Sequence, residues 1–199
     1  SIKHLKSLNK INFSINKLYD ISTLSQLTNL EEVLIYWNQI SDINPLKKLT
    51  NLLLLDISSN PIINIDTIKK LINLTKLDIS HCLVNDVTSI KNLTNLKWLN
   101  LSHNLITDIK TLKHLKILGA LNIKGNQITN IPTNILNSSA QELVRWLNEN
   151  EKQEAKVLLQ DIKVLLLGNT NIGKSNLLFL WKQYYKAIDG RKKSEKLGW

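Results

Sequence analysis

The sequence predicts an α/β solenoid of parallel strands, closed by a helix and followed by the opening strand, loop and helix of a second domain. Three observations carry that prediction: an internal period of 22 residues, a change of period after residue 137, and a glycine-containing loop over residues 168–175. They divide the 199 residues into a solenoid over 1–137, a sealing or linking helix over 138–160, and an incomplete second domain over 161–199. With 43% hydrophobic and 21% charged residues, the composition is that of a chain able to pack a core.

The period is read from Leu8, Leu30, Leu52, Leu74, Leu96 and Leu118, each opening the pattern L-x-x-L-x-L-x-x-N-x-I-x-x-I-x-x-L-x-x-L. Within each copy the x-L-x-L segment alternates with period two, so it reads as a short strand with leucines inward and the intervening residues outward. After it stands Asn16, Asn38, Asn60, Cys82, Asn104 or Asn126, where an inward amide can satisfy backbone groups of two coils. Cys82 on such a rung is expected to be structural. Ile21, Ile43, Ile65, Val87, Ile109 and Ile131, with Leu24, Leu27 and their equivalents, are expected to fill the convex half of the core. The pattern resembles the leucine-rich repeat family in its 22-residue class, which implies a curved solenoid with the strands on its concave face.

No coil buries its apolar face by itself, so function is expected from the assembled surface. The outward strand positions form a polar, weakly acidic line of Asn12, Leu34, Asp56, Asp78, Asn100 and Asn122. Trp37, His81 and His103 fall beside it, Tyr36 is nearby, and Trp98 lies on the other flank. Exposed aromatics next to hydrogen-bonding residues are typical anchors for a protein partner. That makes Tyr36, Trp37, Asp56, Asp78, His81, Trp98, Asn100 and His103 the candidate partner-binding residues. His81 and His103, one repeat apart, fall roughly 5 Å from each other. A metal pair there, with oxygen from Asp56 or Asp78, lacks a placeable third and fourth ligand.

Ile2 and Leu5 occupy the positions of Leu24 and Leu27 in the next coil, so the chain opens in mid-repeat and more repeats are expected before it in a longer parent. At the other end the repeat decays after "NIPTNILN". Ser139 and Glu142 then form a capping box, and a stripe of Leu143, Trp146 and Leu147 predicts a helix sealing the last coil. The run "DIKVLLLG" reads as a buried strand ended by Gly168.

Gly168-Asn-Thr-Asn-Ile-Gly173-Lys174-Ser175 meets the pattern G-x-x-x-x-G-K-[ST], with "SNLLFLWKQYYK" reading as a helix behind it. Such a loop wraps phosphates in backbone N–H groups at the positive end of a helix. Lys174 would reach β- and γ-phosphate oxygens, Ser175 would coordinate Mg²⁺ through its hydroxyl, and Asn171 tolerates a left-handed conformation. Repeats, a sealing helix and then this loop is an order similar to that of the Roco family. There a Ras-like GTPase domain called Roc follows leucine-rich repeats and precedes a dimerising COR domain, in some members with a kinase after it. The resemblance implies GTP/GDP with Mg²⁺ as cofactors, a guanine-nucleotide site at Gly168, Gly173, Lys174 and Ser175, and a homodimer in the intact parent.

The second domain is expected to be incomplete. No D-x-x-G or N-K-x-D follows Ser175, whereas a Ras-like domain takes about 150 residues. The chain itself is therefore expected to be inactive as a GTPase and to bind nucleotide weakly or not at all. Two other readings stay open: a repeat adaptor with a vestigial loop, and an ATP-dependent signalling NTPase. The net charge of +10 comes from dispersed lysines without interleaved stacking aromatics, which argues against a nucleic-acid site. No apolar run reaches membrane-spanning length, and the one cysteine favours a reducing, cytoplasmic setting.

Overall fold

Repetition at 22 residues places every repeat position in a column, and the strands show it directly. The computed structural model describes residues 4–167. Six three-residue strands, β1 (Lys10–Asn12), β2 (Glu32–Leu34), β3 (Leu54–Asp56), β4 (Lys76–Asp78), β5 (Trp98–Asn100) and β6 (Ala120–Asn122), form one parallel sheet in chain order. Each pairs with the next exactly one repeat on, as in Ile11 opposite Val33 and Leu77 opposite Leu99. Between strands the chain returns through 3-10 turns at Ser22–Gln26, Asn44–Lys48, Asp66–Lys70, Thr88–Asn92 and Lys110–His114. An Asp or Asn two residues ahead of each accepts the backbone N–H of its first residue, for example Ser22 to Asp20 at 2.7 Å and Thr88 to Asp86 at 2.8 Å.

The core is the set of inward columns. Leu30, Leu52, Leu74, Leu96 and Leu118, with the inward strand residues Ile11, Val33, Leu55, Leu77 and Leu99 and the convex Ile21, Ile43, Ile65, Val87, Ile109 and Ile131, are buried as the repeat pattern requires. Leu5 departs from it: it is 51% exposed where its equivalent Leu27 is 0%. The buried asparagines bind the coils together. Asn60 donates to the carbonyls of Ile35, Ile57 and Ser58 at 2.9–3.1 Å, while its Oδ1 accepts from the Ile40 N–H at 2.9 Å. Asn38, Asn104 and Asn126 do the same in their own coils. Asn16, in the first coil, reaches the carbonyls of Phe13 and Ser14.

A second asparagine column runs along the opposite edge. Asn29, Asn51, Asn73 and Asn95 each donate to a carbonyl 23 residues earlier, at 2.9–3.1 Å.

The chain divides into two compact units, Ser1–Asn148 and Glu149–Trp199. At the end of the first, a single turn, α1 (Thr133–Leu136), is followed by the start of α2 (Ala140–Leu167). Half of the predicted capping box is formed, with the Glu142 N–H donating to Ser139 Oγ at 3.2 Å. Leu143, Val144 and Leu147 are buried, Trp146 packs against the core, and Asn148 donates to the Lys113 carbonyl at 3.1 Å. This part of the helix seals the last coil as expected.

Residues 161–167 correct the sequence reading. They were expected as a buried strand beginning a second domain, and they are the last turns of α2, so the boundary at residue 160 falls inside a helix. Two physical reasons favour the helix. No glycine or proline interrupts the chain from Ala140 to Leu167, and Leu, Lys, Glu, Gln and Ala are strong helix formers. A lone strand leaves its N–H and C=O groups unpaired, whereas a helix pairs them within itself.

Candidate protein-binding face

Four columns make up the concave face and its rim. The first strand position carries Lys10, Glu32, Leu54, Lys76, Trp98 and Ala120, with Lys10 and Glu32 paired at 2.8 Å. The third strand position carries Asn12, Leu34, Asp56, Asp78, Asn100 and Asn122, as the alternation predicts. Two residues further on stand Ser14, Tyr36, Ser58, Ser80, Ser102 and Lys124. Next to these, Ile15, Trp37, Ser59, His81 and His103 all adopt positive φ of 52–57°, and Gly125 adopts 71°.

In coils 3 to 5 the polar face is bonded to itself. Asp56 Oδ1 accepts from the Ser58 hydroxyl at 2.6 Å and from its N–H at 3.0 Å; Asp78 with Ser80, and Asn100 with Ser102, repeat the arrangement. Asn100 also donates to Asp78 Oδ2 at 3.0 Å, joining two coils. Asp56 keeps Oδ2 without a hydrogen bond among the described residues. Burial raises the pKa of Asp56 above its ordinary value and the neighbouring Asp78 adds to the rise, while the Ser58 bonds oppose it.

His81 and His103 come together as expected, in a form the sequence does not specify. Their rings stack with centroids 4.3 Å apart and planes 12° from parallel. Parallel rings send their nitrogen lone pairs side by side and not toward a common point, which opposes a shared metal ion. Among the described residues no three His, Cys, Asp or Glu side chains group as metal ligands. His103 in turn lies on Gly125, where a Cβ would fall 2.7 Å from its Nδ1. The His103 ring therefore favours glycine there, whereas the left-handed φ is one that non-glycine residues adopt at the same position of the other coils.

Trp37 is 63% exposed, and Tyr36 beside it is half-buried. Trp98, on the opposite flank, is 37% exposed and sits between Lys76 and Ala120 in the sheet register. Cys82 is buried on its rung with Sγ 3.6 Å from the Ile57 carbonyl, and burial pushes its thiol up to about 11. It is a packing residue, not a nucleophile. The loop residues Gly168, Asn171, Gly173, Lys174 and Ser175 lie outside the described residues.

Sequence reasoning missed Ser58, Ser80 and Ser102, which hold the acidic column, and missed the second asparagine column. Both had signals at the 22-residue period: D/N-x-S running out of the strands, and T-N-L, or I-N-L at Asn73, where the coils begin.

Residues 85–128 match the family model described as "Leucine rich repeat". No curated protein matches the chain. Among solved structures, an internalin (InlF) of Listeria monocytogenes is 37% identical with a TM-score of 0.64, over 65% of this chain and 38% of that one. An LRR protein of Leptospira interrogans is 29% identical with a TM-score of 0.63, over 67% of this chain and 36% of that one. Internalin C2 of Listeria monocytogenes is 29% identical with a TM-score of 0.55, over 68% and 70%. The chain thus spans a little over a third of the first two. Among the described residues no helix is long and apolar enough to cross a membrane. The described residues have the fold of a leucine-rich repeat solenoid with a C-terminal helix.

Proposed function

We propose that the concave face binds a protein partner, with Tyr36 and Trp37 as its anchors and Asp56, Asp78, His81, Trp98, Asn100 and His103 as the surrounding contacts. One observation carries the reading. Where coils 3 to 5 place a serine bonded to its own Asp or Asn, coil 2 places Tyr36 next to an indole 63% exposed to solvent. Large aromatics with a polar tip are the side chains that carry binding energy at protein interfaces.

Photo-crosslinking tests it. A benzophenone amino acid at position 36 is expected to capture a protein that excess unmodified chain competes away, and the same group at the convex position 69 is expected not to. Equal capture from both positions rejects the concave face as the binding surface.

A second reading rests on the motif at residues 168–175. Lys174 and Ser175 are the cation and hydroxyl that a nucleotide phosphate with Mg²⁺ requires, Gly168 and Gly173 leave room for it, and Asn171 suits a left-handed turn of the loop. On this reading the longer protein is a Roco-type, cytoplasmic GTP-binding switch, capable of dimerising, to which the repeats bring a partner. GTP binding that Lys174→Ala leaves unchanged would exclude the loop as its site.

A further inference from the structure

The rim column that contains the histidine stack has a gap in it. Trp37, Ser59, His81, His103 and Gly125 succeed one another at one position per coil, all at positive φ. His81 and His103 show that planar groups in this column stack face to face, with centroids 4.3 Å apart. Coil 3 contributes only Ser59, which has no ring. Two coils separate Trp37 from His81, or roughly 9 to 10 Å at the usual strand spacing. A flat group in contact with a ring on each side needs about 7 to 8 Å.

We propose that the space over Ser59 is a slot for the guanidinium plane of an arginine supplied by the partner, with Asp56 as its counter-charge. The inference rests on the protein-binding reading of this face. Three properties select arginine. Ser59 stands between Trp37 and His81 in the column, so a guest that stacks on either ring must be flat. Trp37 offers the π-face on which a cation is held best. The Asp56 carboxylate, three residues before Ser59, is held through Oδ1 by its two bonds to Ser58, and its Oδ2 has no hydrogen bond among the described residues. Asp78, one coil on, has its Oδ2 occupied by Asn100. Lysine carries the charge without the plane, and tyrosine the plane without the charge.

The test is a nuclear magnetic resonance titration of the full chain with the acetylated, amidated tripeptides Gly-Arg-Gly, Gly-Lys-Gly and Gly-Tyr-Gly. The Trp37 indole N–H serves as the reporter, assigned by its loss in Trp37→Phe. The arginine peptide is expected to shift that resonance saturably in the millimolar range, at least fivefold more tightly than either of the others. Ser59→His fills the slot with a side chain that the same backbone conformation already carries at residues 81 and 103, so the fold is retained and the shift is expected to vanish. Equal response to the lysine peptide, a stronger response to the tyrosine peptide, or an undiminished response in Ser59→His each overturns the proposal. Failure of the slot is separable from failure of the face. If crosslinking from position 36 persists at full yield in Ser59→His, the slot is wrong and the face stands. If the arginine response is intact but crosslinking shows no preference for position 36, the slot stands and the face does not.

Discussion

Coil 2 and coil 4 share one backbone and differ in what they do with it. Leu34, Ile35, Tyr36 and Trp37 stand where Asp78, Ile79, Ser80 and His81 stand two coils later, and the left-handed turn is the same, with φ of 53° and 52°. In coil 4 the outward side chains are occupied by their neighbours: Ser80 on Asp78, Asn100 on Asp78, and His81 on His103. In coil 2 the outward positions hold two aromatics and a leucine, and the indole is largely in water. A repeat scaffold fixes where side chains stand without fixing whether they are used internally. Binding capacity is therefore expected where the internal use lapses, which is coil 2.

The most direct way to break this comparison is to write the pattern of coil 5 into coil 2. Leu34→Asn with Tyr36→Ser copies Asn100 and Ser102, whose hydrogen bonds at 2.8 and 3.1 Å show that the pair satisfies itself in this backbone. We expect partner affinity to fall about a hundredfold, near 2.7 kcal/mol. Stability in urea should change by no more than ~1 kcal/mol, since the inward Val33 and Ile35 and the rung residue Asn38 are untouched. Retained affinity would show that the aromatic coil is not the anchor.

How much of this was legible beforehand depends on what each feature is made of. Columns, strands, core leucines and the asparagine rungs follow from a period, and a period is a property of sequence. The His81–His103 proximity followed for the same reason, but the 12° stack did not, because ring orientation depends on Gly125 and the turn geometry. Asp56 and Asp78 read as open contacts until Ser58 and Ser80 were seen to hold them, a side-chain bond across two residues that strand alternation does not encode. The run at 161–167 shows the limit most sharply. A short apolar segment suits a strand or a helix equally, and what decides is whether its backbone finds partners inside or outside itself.

A smaller effect is expected at the one irregular rung. At the other buried rungs the side-chain oxygen accepts an N–H from 20 residues earlier, as Val84 to Asn104 at 3.0 Å. At Cys82 the amide oxygen is replaced by a weakly accepting sulfur, and the Ile62 N–H donates to the Asn60 carbonyl at 2.8 Å. Cys82→Asn restores the acceptor and two charge-neutral donors, and should stabilise the chain by about 1 kcal/mol in urea denaturation. A loss of stability would mean that coils 3 and 4 are packed around the sulfur and not around the rung.

The smallest effect is a pH dependence that separates coil 3 from coil 2. Because burial raises the pKa of Asp56, the folded state holds its proton more tightly than the unfolded state does. The resulting stabilisation is complete below the unfolded value and is lost as pH rises through the folded one, so at neutral pH the ionised carboxylate is a slight burden. Asp56→Asn removes the charge and keeps an acceptor for Ser58, as Asn100 does for Ser102. The thermal midpoint should therefore rise at neutral pH, by a degree or so after solvent screening is allowed for, and the gain should vanish in acid where Asp56 is protonated in both states. In coil 2 the equivalent position is Leu34, so Leu34→Asn should shift the midpoint equally at both pH values. A pH-independent Asp56→Asn effect would instead place the difference between the coils in packing and not in charge.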